Sequence, residues 1–195
     1  AVTGVQTCAL PICMILTSFR RPVTIILILF AAATTLPLAS TAADSVPADL
    51  VLTRFSGPDL TPCVATLCVS AQGEVYAGVD LNGSLGKGPG KGRIVKLIDR
   101  DRDGIADGPA KILVSGICVA KAINDRGTDH STNGIRLGID GWIYIAVGDF
   151  GFHNATGTDG AKVTLQGGGV ARVRPDGTEL ELFATGTRND YDVAI

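Results

Sequence analysis

One segment of the sequence places a histidine among polar residues in a setting that suits proton transfer. His130 lies between Asp129 and Ser131, and residues 124–133 show no apolar periodicity. A core position is therefore not expected for this imidazole. Its ordinary pKa near ~6.5 suits a base at neutral pH. Asp149 closes the next predicted strand pair, where its carboxylate could orient the imidazole; an exposed loop histidine without a catalytic role is the alternative.

A second segment, DRDRDGIAD, has the ligand spacing of a calcium loop. Alternate carboxylates can face one centre, and Gly104 permits the sharp bend that such a loop needs. The position that holds glutamate in an EF-hand is Ala110, so we expect a structural calcium or other hard-cation site at a hairpin tip, with a metal-free Asp-rich turn as the alternative. The candidate ligands are Asp99, Asp101, Asp103, the carbonyl of Ile105, and Asp107.

Two further polar residues, Arg188 and Asn189, follow the last complete predicted strand. They occupy the same kind of strand-to-strand connection as His130 and Asp149, so the three connections could meet at one rim of a β-structure. The glycine-rich segment 82–93 is different. It lacks the Ser or Thr after lysine and the following helix that a phosphate-binding loop requires, and we interpret it as a surface loop.

A folded domain must position these side chains, and the composition of the sequence indicates that this domain follows an N-terminal leader segment. Residues 1–13 resemble a translated sequencing adapter and are excluded from fold reasoning. Residues 14–43 have a basic start, an apolar core over Val23–Ala33 and a small-residue cleavage zone, which predicts a helical signal peptide and export to the periplasm or exterior. The apolar run is shorter than the ~20 residues of a membrane span, so we expect cleavage and no membrane part afterwards, with a retained membrane anchor as the alternative. Residues 44–195 form the predicted domain.

Charge and cysteine content narrow the function classes. The formal net charge is −2, with scattered basic residues, and this argues against a nucleic-acid-binding surface. The mature region has three cysteines, Cys63, Cys68 and Cys118, without a CxxC or CxxCH motif. We expect them to be buried small hydrophobic residues; one disulfide with a remaining thiol is the alternative in an oxidising compartment.

The residues after the leader predict an all-β fold. Alternating Val-, Ile- and Tyr-rich segments are separated by glycine and Asp-Gly turns, a pattern typical of short antiparallel strands. No amphipathic helix is predicted there. The predicted strands are Val51–Phe55, Ala65–Ser70, Glu74–Val79, Arg93–Ile98, Lys111–Ser115, Ile135–Gly138, Trp142–Val147, Gly169–Arg174 and Glu179–Ala184.

A weak internal repeat suggests how the strands are arranged. LCVSAQGEVYAGV, Leu67–Val79, parallels IRLGIDGWIYIAV, Ile135–Val147, and each copy precedes a basic, apolar strand. Repeated four-stranded units indicate a β-propeller. Because propellers have four to eight blades of about 40–50 residues, we expect an incomplete propeller of about three blades, an N-terminal fragment of a longer protein.

The order of these motifs resembles a known enzyme family. The run DHSTNGIRLGIDGWIYIAVGDFG, Asp129–Gly151, and the later GGGVARVRPDGTELELFATGTRN, Gly167–Asn189, are similar to segments of the soluble PQQ-dependent sugar dehydrogenases and their sorbosone-dehydrogenase-like relatives. The likeness is closer to exported propeller dehydrogenases that often continue into helical repeats and a CxxCH haem domain. It covers essentially Leu52–Ile195.

This resemblance implies a quinoprotein that oxidises a sugar or alcohol. His130 matches the family's general base and Asp149 the neighbouring acid, while Arg188 and Asn189 match the pair at the quinone. PQQ, calcium and a c-type cytochrome electron acceptor are implied as cofactors and partner. Two other functions stay open: a non-catalytic propeller that binds a ligand or docks a cytochrome, and a metal-dependent lactonase.

Overall fold

The structure confirms the all-β prediction. The computed structural model describes residues 12–17, 24–25, 50–80, 91–117 and 132–195, and these residues contain strands and turns but no helix. The strands are β1 (Ile12–Thr17), β2 (Thr24–Ile25), β3 (Leu50–Ser56), β4 (Val64–Val69), β5 (Val75–Asp80), β6 (Gly92–Leu97), β7 (Lys111–Ile117), β8 (Thr132–Leu137), β9 (Ile143–Val147), β10 (Phe152–Gly157), β11 (Lys162–Leu165), β12 (Gly168–Val173) and β13 (Glu181–Thr187).

The strands form two main antiparallel sheets. Sheet I has the order β11-β10-β7-β6-β5-β4, and sheet II has the order β13-β12-β9-β8. Within sheet I, β4 to β7 follow one another as a four-stranded meander, the unit from which propeller blades are built. Sheet II has the same arrangement, except that β10 and β11 intervene in sequence between its second and third strands. A third sheet, β2-β1-β3, joins the N-terminal strands.

The internal repeat corresponds to equivalent strand pairs in the two sheets. Tyr76 of β5 and Tyr144 of β9 are both buried, and each donates its hydroxyl hydrogen to a carboxylate before its strand: Tyr76 to Glu74 over 2.6 Å and Tyr144 to Asp140 over 2.7 Å. Each buried tyrosine thus packs its apolar ring in the interior while its hydroxyl forms a hydrogen bond. One four-stranded plan is therefore used twice.

The hairpin β10–β11 is a feature that the strand pattern did not predict. It lies between β9 and β12 in sequence, yet β10 pairs with β7 of sheet I. Phe152 faces Ile117 across this pairing, and both side chains are fully buried. The hairpin therefore covers the outer edge of sheet I with a segment that belongs to the connectivity of sheet II.

Sheets I and II pack face to face around the larger core. This core joins Ile94 and Val114 of sheet I with Ile135, Ile145 and other residues of sheet II. Aliphatic and aromatic burial of this kind stabilises a fold in proportion to the apolar area removed from water. A second cluster covers the opposite face of sheet I, where Phe55 of β3 packs on β5 and β6.

The first strands of the two sheets lie side by side and run in the same direction. β4 contacts β8: the Thr132 methyl lies 3.1 Å from the Cβ position of Gly78, opposite Thr66 of β4, while Cys68 hydrogen bonds with the Leu137 backbone at the other end. Residues 190–195 continue this series beside β8, because Arg136 contacts Asp192 over 2.9 Å. Three segments thus line up like the inner strands of neighbouring blades.

One prediction differs from the structure. The helix predicted for the signal peptide is not shown: described residues 14–17 and 24–25 lie in strands, and the rest of 14–43 is outside the described residues. Short runs rich in β-branched residues suit either state, and pairing with β3 selects the strand. The described residues form one six-stranded, one four-stranded and one three-stranded sheet. No helix among them is long and apolar enough to span a membrane.

The prediction that the cysteines are buried is confirmed for the two mature-region cysteines that the structure describes. Cys63 and Cys68 are buried thiols, exposed by only 8% each. Burial raises the pKa of the Cys68 thiol to about 11, partly offset by the Leu137 backbone and by Arg136. A thiol of this kind is unreactive at neutral pH. Cys118 lies outside the described residues.

Candidate functional site

The strand register brings three of the predicted connections to one end of sheet II. Thr132 at the start of β8 faces Val147 at the end of β9, and Val147 also faces Gly169 of β12. Gly168 at the start of β12 faces Thr187 at the end of β13. We call this end of sheet II, together with the adjacent end of sheet I at Asp80 and Gly92, the rim.

Asp149 lies on the rim in the turn that follows β9. This turn is closed by a hydrogen bond from the Gly151 amide to the Gly148 carbonyl, 3.0 Å long. Gly151 has a φ of +60°, and a side chain there would overlap the Leu165 carbonyl. Asp149 is half-buried between two buried residues, Gly148 and Phe150. The turn therefore places the backbone of Asp149 on the rim.

Arg188 and Asn189 also lie on the rim, directly after β13. The side-chain amide of Asn133 donates a hydrogen bond to the Asn189 side-chain oxygen over 3.1 Å and to the Asp190 carbonyl over 2.5 Å. Both predicted residues are exposed. Among the described residues, Arg188 has no ion-pair partner, so its guanidinium is available to an anionic ligand.

His130 itself is outside the described residues. Its place in the sequence is nevertheless informative, since β8 begins at Thr132 on the rim. The chain therefore enters sheet II two residues after His130 at the same end that carries Asp149, Arg188 and Asn189.

Two buried polar residues on the rim were missed by the sequence analysis. Asp80, the last residue of β5, is 9% exposed, and Thr132 is 5% exposed. Asp80 follows an apolar strand in GVDLNG and looks like a turn aspartate, while Thr132 belongs to a polar turn. The signal that could have indicated Asp80 is the internal repeat, which aligns β5 with β9 and hence their rim ends.

A bulge in β8 determines where the Thr132 side chain lies. Thr132 faces Val147 and Gly134 faces Ala146, which are consecutive residues of β9. Asn133 is therefore an extra residue of β8 between these two pairs. Bulges of this kind redirect side chains. Here the Thr132 methyl faces Gly78 of sheet I, whereas Asn133 faces Asn189 and Asp190.

The predicted calcium ligands lie at the opposite end of sheet I, in the turn between β6 and β7. Carboxylate oxygens of Asp99, Asp101 and Asp107 lie within 4.8 Å of one another. Asp103 does not join them; its carboxylate accepts a hydrogen bond from the Ile105 amide over 2.8 Å. The structure thus gathers three of the four predicted carboxylates, and it does not test the carbonyl of Ile105.

Backbone amides already occupy part of this acidic cluster. Asp99 accepts from the Arg102 amide at 2.7 Å and the Gly104 amide at 2.9 Å, and Asp107 accepts from the Arg100 amide at 2.5 Å. Since each carboxylate oxygen has two lone pairs, these bonds leave room for a cation. The arrangement fits both a metal site and a metal-free Asp-rich turn.

Comparison with known proteins finds one family. A family model described as a domain of unknown function, DUF7133, matches residues 90–195, more than half of the 195-residue chain. The match includes the acidic hairpin tip, all of sheet II and every predicted site residue. No curated protein and no solved structure matches the chain.

Proposed function

The chain belongs to the DUF7133 family, and we propose that this member is a quinoprotein-type dehydrogenase that oxidises a sugar or alcohol on the rim of a β-propeller. The observation that carries the proposal is the register of sheet II. It brings Asp149, Arg188 and the strand that follows His130 to one end of the sheet. A base and a cation from separate connections can then serve one ligand.

The described rim residues fit an anionic quinone such as PQQ. Arg188 offers a guanidinium that has no ion-pair partner among the described residues, and the side-chain oxygen of Asn189 accepts from Asn133 while its amide group can donate. These two residues would hold the carboxylate and carbonyl oxygens of the cofactor. When bound, PQQ supplies a two-electron acceptor for hydride, which amino-acid side chains do not provide.

The remaining chemistry belongs to the chain itself. His130 takes the proton of the substrate hydroxyl while hydride leaves the adjacent carbon, so that both bonds break without a build-up of charge on the alcohol. Asp149 orients the imidazole and favours its protonated form. Removing a positioned base costs about 10²- to 10⁴-fold in rate.

The same proposal covers the wider setting of the enzyme. The parallel alignment of β4, β8 and residues 190–195 supports a propeller. We propose a calcium ion at the tip formed by Asp99, Asp101 and Asp107, where it would stiffen the hairpin at the end opposite the rim. Export to the periplasm or exterior and a c-type cytochrome as electron acceptor stay predictions from the sequence.

The rim geometry bears on the two alternative functions. A lactonase needs metal ligands that converge in the central channel, but among the described residues the acidic cluster that could hold a metal is the hairpin tip. A non-catalytic binding propeller would use the same rim without redox chemistry. Titration with PQQ separates these cases, because only a quinoprotein changes the cofactor's absorbance spectrum.

The test compares the two histidines of the chain. The full-length protein is supplied with PQQ and calcium, and reduction of an artificial electron acceptor is followed with aldoses as substrates. We expect His130→Ala to lower kcat at least 100-fold, whereas His153→Ala, which removes the other histidine of the chain, keeps the wild-type rate. Equal rates for both variants, or no spectral change with PQQ, would refute the proposal.

A further inference from the structure

The connection that carries Arg188 and Asn189 crosses the rim end of sheet II. Its start lies close to β12, because a Cβ atom on Gly168 would overlap the Arg188 carbonyl oxygen. Its end lies close to β8, where Asn133 contacts Asn189 and Asp190. Since β9 separates β12 from β8, the connection passes over the ends of the strands. The position of Arg188 and Asn189 on the rim therefore depends on an anchor at each side of the sheet.

Asn133 provides the anchor on β8. Its side-chain amide uses both of its hydrogens, one in a bond to Asn189 Oδ1 over 3.1 Å and the other in a bond to the Asp190 carbonyl over 2.5 Å. Asn133 is the extra residue of the bulge in β8, and bulges redirect side chains next to functional sites. The bulge that turns Thr132 toward sheet I thus directs Asn133 toward the connection.

The next contact between β8 and the chain after the connection lies farther from Arg188. Arg136 bonds the Asp192 carboxylate over 2.9 Å, which holds that later segment beside β8. This contact does not fix the two residues that are proposed to face the cofactor. Among the described residues, the side chain of β8 that reaches Asn189 is that of Asn133.

We propose that Asn133 is a positioning residue for cofactor binding, which holds Arg188 and Asn189 in the arrangement that receives the anionic oxygens of the quinone. The inference rests on the proposed dehydrogenase function and adds to it a residue that acts through these two neighbours. When the competent arrangement is only partly populated, the apparent affinity for a ligand falls by that fraction. Loss of the Asn133 amide should therefore weaken PQQ binding and leave the chemical step unchanged.

The first experiment needs no cofactor. Trypsin cleaves after arginine, and Arg188 is exposed, so the rate at which the fragment ending at Arg188 appears in mass spectra measures how often the connection opens. Asn133→Asp removes both donated hydrogens and places a carboxylate against two oxygens. We expect trypsin to cut this variant after Arg188 several times faster than the wild type, and PQQ to slow the cleavage of the wild type. Asn133→Ala, which adds no charge, should change the rate in the same direction.

Asn154→Asp is the matched control. The contact of Asn154 uses the side-chain oxygen, which accepts from the Thr164 hydroxyl over 3.0 Å. An aspartate keeps that oxygen and tolerates the positive φ of this position, 50°. The control should therefore match the wild type both in cleavage after Arg188 and in its response to PQQ.

The second experiment measures how the rate of the full-length protein depends on PQQ concentration. Because two hydrogen bonds are lost, Asn133→Asp should raise the PQQ concentration for half-maximal rate about tenfold. At saturating PQQ its kcat should stay within about twofold of the wild-type value, since the bound cofactor restores the competent arrangement. His130→Ala should show the opposite pattern, with a lower kcat at every PQQ concentration.

The outcomes separate the positioning role from the proposed function. Cleavage after Arg188 at the wild-type rate in Asn133→Asp, or an unchanged PQQ requirement, overturns the positioning role alone. A lower kcat at saturating PQQ with an unchanged PQQ requirement also overturns it, because Asn133 would then act on the chemical step. A wild type that does not respond to PQQ refutes the dehydrogenase proposal itself.

Discussion

At the level of single residues, the carboxylates at the tip of the β6–β7 hairpin form hydrogen bonds with backbone amides. The Asp99 carboxylate accepts hydrogen bonds from two amides, and the positive φ values of Arg102, 63°, and Gly104, 88°, turn the chain around it. Among the described residues, the Asp101 carboxylate accepts one amide hydrogen bond, from Asp103, over a longer 3.3 Å. Asp101 is thus the member of the cluster with the most capacity left for a cation.

Calcium binding at this tip can be tested with two neighbouring substitutions. We expect calcium to raise the unfolding temperature of the wild type, because an ion that binds only the folded state stabilises it. Asp101→Asn should reduce this increase, whereas Asp103→Asn, outside the cluster, should retain it. The measurement is thermal unfolding with calcium and with chelator; an identical midpoint in both would mean a metal-free turn.

At this scale, residue type and spacing indicated only part of the site. Alternate aspartates predicted the acidic tip, because their spacing is visible in the sequence. Asn133 could not be recognised, since its role depends on a bulge that arises from pairing between β8 and β9. Asp80 is hidden for a similar reason: its burial depends on the packing of sheet II against β5.

At the level of the strands, β5 and β6 show how partly buried polar groups compensate one another. Lys96 of β6 lies 2.5 Å from the Glu74 carboxylate and 5.6 Å from the centre of the Tyr76 ring. Although burial alone raises the pKa of Glu74, the bonds from Lys96 and Tyr76 lower it overall. Burial, and then the bond to Glu74, raises the pKa of Tyr76 well above its usual range.

This cluster predicts a specific dependence of stability on pH. The pKa of Glu74 is lower in the folded state than its usual 4.5, so the stabilisation exists above that pH and disappears as the pH falls through the folded-state value. Glu74→Gln should therefore lower the unfolding temperature at pH 7, with a loss of up to about 1 kcal/mol in the free energy of unfolding. In acid, the unfolding temperatures of the variant and the wild type should converge.

The control is Glu179→Gln. Glu179 forms an ion pair with Arg174 over 3.1 Å, and its side chain is 60% exposed. Water screens this pair more strongly, so the substitution should have a smaller effect at every pH. A Glu74→Gln deficit that persists unchanged in acid would show that the lost contribution is packing rather than charge.

Strand prediction succeeded where local alternation is regular and failed where pairing is distant. Every predicted strand overlaps an observed one, because Val-, Ile- and Tyr-rich segments between glycine turns are self-sufficient signals. FHNATG and KVTL are short and polar. Asn154 in the first segment has a positive φ, as does Gly160 in the turn between the two segments. β10 becomes a strand because β7 offers it an edge, which no local pattern reveals.

For the whole molecule, the shared core makes the two sheets dependent on each other. Ile94 of sheet I is completely buried in the cluster that also contains Ile145 of sheet II. The single tryptophan, Trp142, reports on sheet II, since its ring lies 4.3 Å from the Arg172 guanidinium and 3.7 Å from that of Arg174.

Ile94→Ala tests this dependence. The cavity should cost about 2–5 kcal/mol and should shift the Trp142 fluorescence transition and the far-ultraviolet circular dichroism transition together, although Trp142 belongs to the other sheet. Ile139→Ala, at a fully exposed position, should shift neither. A Trp142 transition unchanged by Ile94→Ala would mean that the sheets unfold independently.

The location of the β10–β11 hairpin has a consequence for synthesis. A ribosome releases β7 before β8 and β9, and only afterwards the hairpin that pairs with β7. The outer edge of sheet I consequently stays open until half of sheet II has emerged, and an open strand edge invites pairing with other chains. A nascent polypeptide halted after Val147 would thus be a better target for chaperones than one released at Leu165.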